Sequence, residues 1–212
     1  MSNYIFYLFS IFMCFSIQSN SQVILKTIVD SRSSSNIIVN LINDVRANNG
    51  LQKLTEIQAL NNAAEYHGKY LYKLLPYFNS KNDFANFMKK LIDGTPQGHF
   101  ENVDVKDHKE ILKPTGRAAL FTKGDTLVAE CAQVLFSYNK ISKNDTQKIF
   151  ENYMNSIDHK EILMLKSMLK SVDRDGTKNF VTIKEIGSTT LEVEFENSNE
   201  FKFMYVNVIL VR

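Results

Sequence analysis

The sequence predicts an α+β fold, a three-layer α/β/α sandwich with a central, mainly antiparallel sheet. Helical patterns dominate the first half, where apolar residues recur every three or four positions between residues 36 and 74. Strand patterns dominate the end, where residues 191–196 alternate apolar and acidic side chains and residues 201–211 are apolar on both phases. A strand that is apolar on both phases must be covered on both faces, so we expect helices on both sides of the sheet.

The N-terminus carries the pattern of a secretory signal peptide. Residues 1–21 contain no charged side chain, and residues 5–17 form an almost unbroken apolar run before a polar stretch. We predict a signal peptide at residues 1–21, cleaved before Gln22; the alternative is an uncleaved membrane anchor. A linker at residues 22–35 and one domain at residues 36–212 follow. We therefore expect a secreted or cell-envelope (periplasmic) protein with no stable membrane span after cleavage.

The composition disfavours nucleic acid as a partner and excludes an internal disulfide after cleavage. The chain has 25 basic and 23 acidic residues and no basic stripe that would neutralise phosphates. Cys131 is the only cysteine that remains after removal of the signal peptide, so the domain must be held together by its core. A lone thiol of this kind is typical of a small buried apolar residue. Residues 144–146 match a glycosylation sequon.

The first predicted helix covers residues 36–48 and stops at an Asn-Asn-Gly sequence. Thr55 and Gln58 form a predicted capping box for a long second helix, because Thr stands three residues before Gln and an apolar stripe follows. Pro76 is expected to end this helix.

The middle of the chain combines a short helix, a long loop and a strand. A third helix is predicted at residues 84–92. Residues 95–125 are predicted as a loop, since prolines and glycines interrupt every candidate element. Residues 126–138 are apolar on both phases apart from two polar positions, which predicts a strand that is at least partly buried.

Two further helices and a hairpin complete the prediction. Asn144 is expected to cap a fourth helix and Asp158 a fifth, whose apolar residues extend to Leu169. Residues 173–176 are predicted as a turn. The strand patterns after residue 190, separated by Asn-Ser-Asn, predict an antiparallel hairpin.

Three short motifs follow one another between the first and fifth helices. The first comprises Leu41, Asn43, Arg46, Asn49, Gly50, Leu51 and Leu54; the second Ala63, Ala64, His67, Gly68 and Leu71; the third Tyr153, Met154, Asn155, Ser156, His159, Ile162 and Leu163. Together they resemble the CAP superfamily, the SCP-like secreted domain of cysteine-rich secretory, antigen 5 and pathogenesis-related proteins. The likeness is closest to its bacterial-type, cysteine-poor branch. The chain departs from the family pattern at the tryptophan, replaced by Tyr153, and at the Pro-Gly before the histidine.

The resemblance implies a cleft in which many members hold a divalent metal with two histidines and two glutamates. By order along the chain, His99 and Glu130 match the first histidine and the first glutamate. Ser156 stands at or near the second glutamate, and the second histidine has no clear counterpart. The implied cleft residues are therefore His99, Glu130, Ser156 and His159. Of these, His99, Glu130 and His159 form the candidate ligand set for Zn²⁺ or another divalent cation.

The residues themselves support more modest roles for several of these positions. His67 lies on the apolar stripe of the second helix and is predicted to be structural, as are Tyr153 and Asn155. Glu130 lies in an apolar run, so its carboxylate must be paired, hydrogen-bonded or metal-bound if the run is buried. His159 is expected at a helix N-terminus, where the helix dipole favours the neutral imidazole.

The leading functional hypothesis is a secreted, non-catalytic CAP-like domain. It would bind a small apolar ligand, such as a sterol or lipid, or an extracellular macromolecule in its cleft, and we assign no catalytic residue. Two alternatives remain. One is a divalent-metal-dependent hydrolase that uses the His/Glu cleft, and the other is a structural surface protein with a degenerate cleft.

Overall fold

The computed structural model describes residues 24–78, 80–92, 95–99, 113–122, 127–196 and 198–212. In chain order the helices are α1 (Arg32–Asn48), α2 (Gln58–Leu74), α3 (Lys81–Lys89), α4 (Pro114–Ala119), α5 (Lys143–Asn155) and α6 (Ile157–Leu163). The strands are β1 (Ile24–Asp30), β2 (Thr55–Glu56), β3 (Leu91–Ile92), β4 (Thr95–Pro96), β5 (Ala129–Ser137), β6 (Ser167–Val172), β7 (Lys178–Thr182), β8 (Glu185–Glu196) and β9 (Phe203–Val211). Short 3-10 helices cover Leu75–Tyr77 and Gln97–His99.

A central antiparallel sheet organises the molecule in the strand order β1-β8-β9-β5. The C-terminal hairpin forms its middle, with Val211 of β9 opposite Ile186 of β8 and Phe203 opposite Glu194. β5 pairs with the other edge of β9, and the short β2 adds to β8 in parallel. These pairings confirm the predicted α+β class, its central antiparallel sheet and its C-terminal hairpin.

Strand β9 is buried along its whole length, as its two apolar phases predict. Met204, Val206, Val208 and Leu210 belong to one apolar cluster, which also contains Leu60 and Leu71 of α2. Ile209 and Val211 belong to a second cluster, together with buried residues of α1, α5 and α6: Ile38, Ile42, Ile149 and Leu163. Because alternate residues of a strand face opposite sides, the sheet has an apolar cluster on each face.

The predicted linker at residues 22–35 is wrong for most of its length. Residues Ile24–Asp30 form edge strand β1, which is antiparallel to β8 with Leu25 opposite Phe195 and Asp30 opposite Leu191. Helix α1 then begins at Arg32, four residues before the predicted start. All side chains of β1 are exposed, so its sequence does not alternate between apolar and polar residues. The strand is defined only by its hydrogen bonds to the distant strand β8.

Three predicted helix starts differ from the observed ones. Thr55 lies in β2, where its backbone N–H donates to Lys184 O at 2.8 Å, and α2 begins at Gln58 without a side-chain cap. Ser142, rather than Asn144, caps α5 in a capping box with Asp145. Ser156, rather than Asp158, caps α6 by accepting the His159 backbone N–H.

One predicted loop contains a helix, and part of one predicted helix is a strand. Within the predicted loop at residues 95–125, Pro114 is in the first turn of α4, where its missing N–H and fixed φ favour a helix start. The fifth helix ends at Leu163, and Leu169 belongs to β6. β6 and β7 form a two-stranded hairpin, and the predicted turn at residues 173–176 connects them.

The predicted signal peptide at residues 1–21 and the cleavage position before Gln22 lie outside the described residues. Within the part of the chain that is described, no helix combines the length and apolar character needed to cross a membrane.

Candidate functional site

The candidate site is built around Glu130, which projects from β5 and is only 5% exposed. β5 holds it opposite Leu210 of β9, in a sheet edge covered by apolar side chains. The Nδ1–H of His99 donates to Glu130 Oε1 at 2.9 Å, and the Arg117 guanidinium contacts Oε2. The carboxylate is therefore hydrogen-bonded and paired with a permanent cation, as a buried charge requires.

His67 of α2 completes this arrangement, which we call the carboxylate cluster (His67, His99, Arg117 and Glu130). The side chain is fully buried, and its Nε2 lies 2.7 Å from the Gly98 carbonyl oxygen and 3.6 Å from Glu130 Oε1. Arg117 Nη1 lies 3.1 Å from His67 Nδ1. Because a guanidinium only donates, Nδ1 must accept, and the imidazole proton is on Nε2, where it donates to Gly98 O.

The charge state of Glu130 follows from competing effects. Burial raises the pKa of its carboxyl, but the nearby Nε2–H of His67, the Arg117 guanidinium and the hydrogen bond from His99 outweigh burial and hold the pKa at about 2, against an ordinary 4.5. The carboxylate is therefore ionised at neutral pH. Since it accepts from Nδ1–H of His99, the neutral form of that ring has its acceptor nitrogen at Nε2.

An apolar cavity of about 310 Å³, which we call the histidine pocket, lies next to the carboxylate cluster. Its lining residues come from α3, the second 3-10 helix, β5 and α6: Phe84, Ala85, Met88, Lys89, Gly98, His99, Ala132, Gln133, Val134, Phe136 and His159. Six of them are apolar side chains on α3 and β5. The polar side chains that line it are His99, His159, Gln133 and Lys89, and Glu130 is not among the lining residues.

His159 enters the pocket from the first turn of α6. Its ring packs edge-on against the Tyr153 ring, with centroids 5.3 Å apart, and its backbone N–H lies 3.5 Å from Ser156 Oγ. Burial and, to a smaller extent, His99 lower the pKa of His159 below its ordinary 6.5, although Asp158 acts in the opposite direction. The imidazole is therefore neutral at neutral pH. Ser156 serves as the cap of α6 and does not line the pocket.

The predicted metal set of His99, Glu130 and His159 does not fit a divalent cation. The Arg117 guanidinium contacts Glu130 Oε2, where a metal would have to bind, and His99 Nδ1 donates to Oε1. His159 forms no hydrogen bond or ion pair with Glu130 in the described residues. Nor does any group of three His, Cys, Asp or Glu side chains among those residues have an arrangement that could hold a metal ion.

The residues predicted to be structural occupy different environments. Tyr153 is fully buried, and its hydroxyl donates to Asn207 Oδ1 at 2.8 Å and lies 3.0 Å from the Asn207 carbonyl oxygen. Asn155 ends α5 and is exposed. Cys131 is fully buried; burial, with a contribution from Glu130, raises the pKa of its thiol well above the ordinary value, so the thiolate nucleophile is suppressed.

Sequence reasoning missed Arg117, the counter-ion of Glu130. It lies in a stretch predicted as loop, yet Pro114 three residues earlier is a typical helix start. An arginine placed next to Ala118 and Ala119 in such a helix could have been recognised as a candidate buried cation. The wall of the pocket formed by α3, with Phe84 and Met88, carries only an amphipathic pattern.

Comparisons with known proteins assign no function to this site. No family model and no curated protein matches the chain. Among solved structures it is similar to an outer surface protein from Borrelia burgdorferi, at 16% identity and a TM-score of 0.48. That match covers 88% of this chain and 97% of the other. A likeness at this level carries no argument about function, and the CAP resemblance stays a prediction.

Proposed function

We propose that this chain binds a small apolar ligand, such as a lipid chain or a sterol, in the histidine pocket. The observation that carries the proposal is the pocket itself, about 310 Å³ with mostly apolar walls and a few polar side chains. Pockets for small molecules have this composition, in which apolar walls supply the affinity and a few polar groups fix the orientation. The volume is near the lower bound of about 300 Å³ for such pockets, which favours a single chain or a partly inserted ligand.

The two histidines that line the pocket can bind a hydroxyl head group. His159 is neutral, so its ring offers one donor and one acceptor. Glu130 holds His99 through Nδ1, which gives the neutral ring an acceptor at Nε2. A hydroxyl can donate to one ring and accept from the other.

Binding of a small apolar ligand is also the leading hypothesis from the sequence, whereas a hydrolase was one alternative. The CAP resemblance implies binding of apolar ligands, and the pocket supports the same class of function. A metal-dependent hydrolase has no support, because Arg117 occupies the side of Glu130 that a metal would need. The proposed place of action is outside the cytoplasm, secreted or in the cell envelope, on the evidence of the apolar run at residues 5–17.

Filling the pocket is expected to weaken binding at least tenfold without unfolding the domain. Ala85 lines the pocket from α3 and is partly exposed, so Ala85→Phe should place its ring in the cavity. Ala47→Phe is the matched control, because Ala47 is an exposed helical alanine of α1 that does not line the pocket. Both changes exchange the same residues in a helix and have the same propensity cost.

The measurement is native mass spectrometry of the purified protein, followed by titration with a fatty alcohol, a fatty acid and a sterol. We expect a retained or added ligand on the unsubstituted chain and on Ala47→Phe, and at least a tenfold loss of affinity in Ala85→Phe. Equal binding by all three proteins would place the ligand elsewhere. If no ligand adds to the unsubstituted chain and none raises its melting temperature, the proposed function is wrong.

A further inference from the structure

The β6–β7 hairpin carries apolar side chains on a face that nothing in the described chain covers. Leu169 and Phe180 are directly opposite each other, so their side chains share a face of the hairpin. Val172, opposite Lys178, lies on the same face, because Lys178 and Phe180 are two residues apart on β7. These three apolar side chains are 45%, 60% and 53% exposed, in the order Leu169, Phe180, Val172.

The opposite face of the hairpin is covered only in part, since Val181 on that face is 39% exposed. Met168 lies opposite Val181 on that face, and it packs against the cluster formed by α1, α5 and α6. The backbone of Ile183, just after β7, donates to Lys166 O at 2.9 Å and closes the base of the hairpin. The face with Leu169, Val172 and Phe180 is thus the one opposite the Met168 contact. A stripe of this kind marks an interaction surface.

The segment that carries the stripe is rich in positive charge. Between residues 166 and 184 the chain has five basic side chains and two acidic ones, which gives this segment a net charge of +3. The whole chain has a net charge of only +2, so the rest of it is nearly neutral. The five basic residues are Lys166, Lys170, Arg174, Lys178 and Lys184. Within the described residues none of the five forms an ion pair.

The two acidic residues of this segment form hydrogen bonds within the turn of the hairpin. Asp175 accepts the Thr177 backbone N–H at 3.0 Å, and Asp173 accepts from the Asn179 amide at 3.0 Å. Beside the hairpin, a cavity of about 570 Å³ is lined by Lys170, Lys184 and Arg212, and Glu185 is the one carboxylate side chain among its described lining residues. Glu185 contacts the Arg212 guanidinium, so the carboxylate of this cavity already has a cationic partner. The cavity therefore adds to the positive character of the surface.

We propose that the outer face of the β6–β7 hairpin docks on an anionic membrane surface. Exposed apolar side chains flanked by lysines are the features by which a protein segment lies in a lipid interface, with the apolar groups among the acyl chains and the cations at the phosphates. A second copy of the chain is a poorer occupant, since a symmetric contact would bring the two basic segments together. This surface is separate from the histidine pocket, and the inference does not depend on the pocket's ligand.

A single tryptophan tests the docking directly. The chain contains no tryptophan, so in Phe180→Trp the emission reports only on this position of the hairpin. Tyr77→Trp is the matched control, because Tyr77 is 76% exposed and lies after α2, outside the hairpin. Position-specific probes are needed because the apolar run at residues 5–17 of the full chain would itself bring the protein to lipid.

Each full-length variant is mixed with phosphatidylcholine vesicles, and with vesicles that also contain phosphatidylglycerol. For Phe180→Trp we expect a blue shift and quenching by brominated acyl chains only with phosphatidylglycerol, and loss of both effects at high salt. The emission of Tyr77→Trp should not change. Adding Lys170→Glu and Lys178→Glu to Phe180→Trp should shift the midpoint of the tryptophan blue shift to about tenfold or more lipid.

Three results would overturn the proposal. The first is an unchanged emission of Phe180→Trp with both vesicle types. The second is an equal response with and without phosphatidylglycerol, which would exclude the charge-based recognition. The third is a blue shift that appears on raising the protein concentration without lipid, since it would identify a second copy as the occupant.

Discussion

Glu130→Gln is expected to lower the free energy of unfolding by about 3–5 kcal/mol, the typical cost of removing one partner from a buried ion pair. Glu130 is 5% exposed and Arg117 is fully buried. The amide keeps the shape of the side chain but removes the charge that the guanidinium contacts and that His99 and His67 approach. Urea denaturation followed by circular dichroism measures the loss.

An exposed ion pair supplies the control for this prediction. Lys53 and Asp44 lie 3.3 Å apart with side chains 60% and 66% exposed, so Lys53→Ala should cost less than about 1 kcal/mol. The double variant Glu130→Gln, Arg117→Met removes both buried charges and should lose less stability than the sum of the two single variants. Simple additivity would show that the carboxylate and the guanidinium do not interact as described.

The same substitution should remove a pH dependence of stability. The pKa of Glu130 is about 2 in the folded protein and 4.5 for the ordinary group, so the unfolded chain takes up the proton first. The stabilisation is therefore complete above pH 4.5 and is lost as the pH falls through 4.5 towards 2. Unfolding curves of the two proteins should converge over that interval. A constant difference would place the origin of the stabilisation elsewhere.

Gly187→Ala is expected to be the next most damaging substitution, at about 3 kcal/mol, the upper part of the range for overpacked cores. Gly187 lies on β8 beneath α2, and a Cβ there would lie under 3.0 Å from backbone atoms of Leu60 and Asn61. Asn61 also ties the helix to the strand, because its Oδ1 accepts the Ser188 backbone N–H at 2.8 Å. A backbone clash cannot be relieved by a change of rotamer, so the helix itself must move.

Gly68→Ala is the matched control on the facing helix. A Cβ at Gly68 would approach only side-chain ends of Leu191 and Thr189, at 3.0 and 3.4 Å. These atoms can shift, and alanine gains helix propensity of about 1 kcal/mol over glycine, so the net change should be small. Chemical denaturation of both variants compares the two sites. Equal stability of Gly187→Ala and the unsubstituted chain would show that α2 does not lie directly on β8.

The sequence predicts those parts of the fold that have a local pattern. β9 is apolar on both phases over nine residues, and this alone identified a strand covered on both faces. β1 has exposed side chains and exists because of hydrogen bonds to β8, more than 160 residues away, so no local pattern marks it. β6 and β7 are short and solvated, and Leu169 fitted a helical stripe equally well.

In the site, too, some residues can be recognised from their neighbours in the sequence and others only from tertiary packing. The single carboxylate in the apolar run around Glu130 predicted a buried charge that needs partners, and His99 is one of them. A second partner, Arg117, comes from α4, whose position depends on packing against distant elements. His159 was expected to meet Glu130, but the cap at Ser156 and the Tyr153 ring direct it to the histidine pocket instead.

The most direct measurement of the central claim is methyl NMR of the methionine residues during titration with a fatty alcohol. The chain has 7 methionines, and Met88 is the one that lines the histidine pocket among the described residues. Met154 packs in the cluster on the other face of the sheet and serves as the internal reference. We expect the Met88 resonance, assigned by its loss in Met88→Leu, to shift with saturation while that of Met154 stays in place. A titration that leaves the Met88 resonance unmoved, or moves both equally, would contradict ligand binding in this pocket.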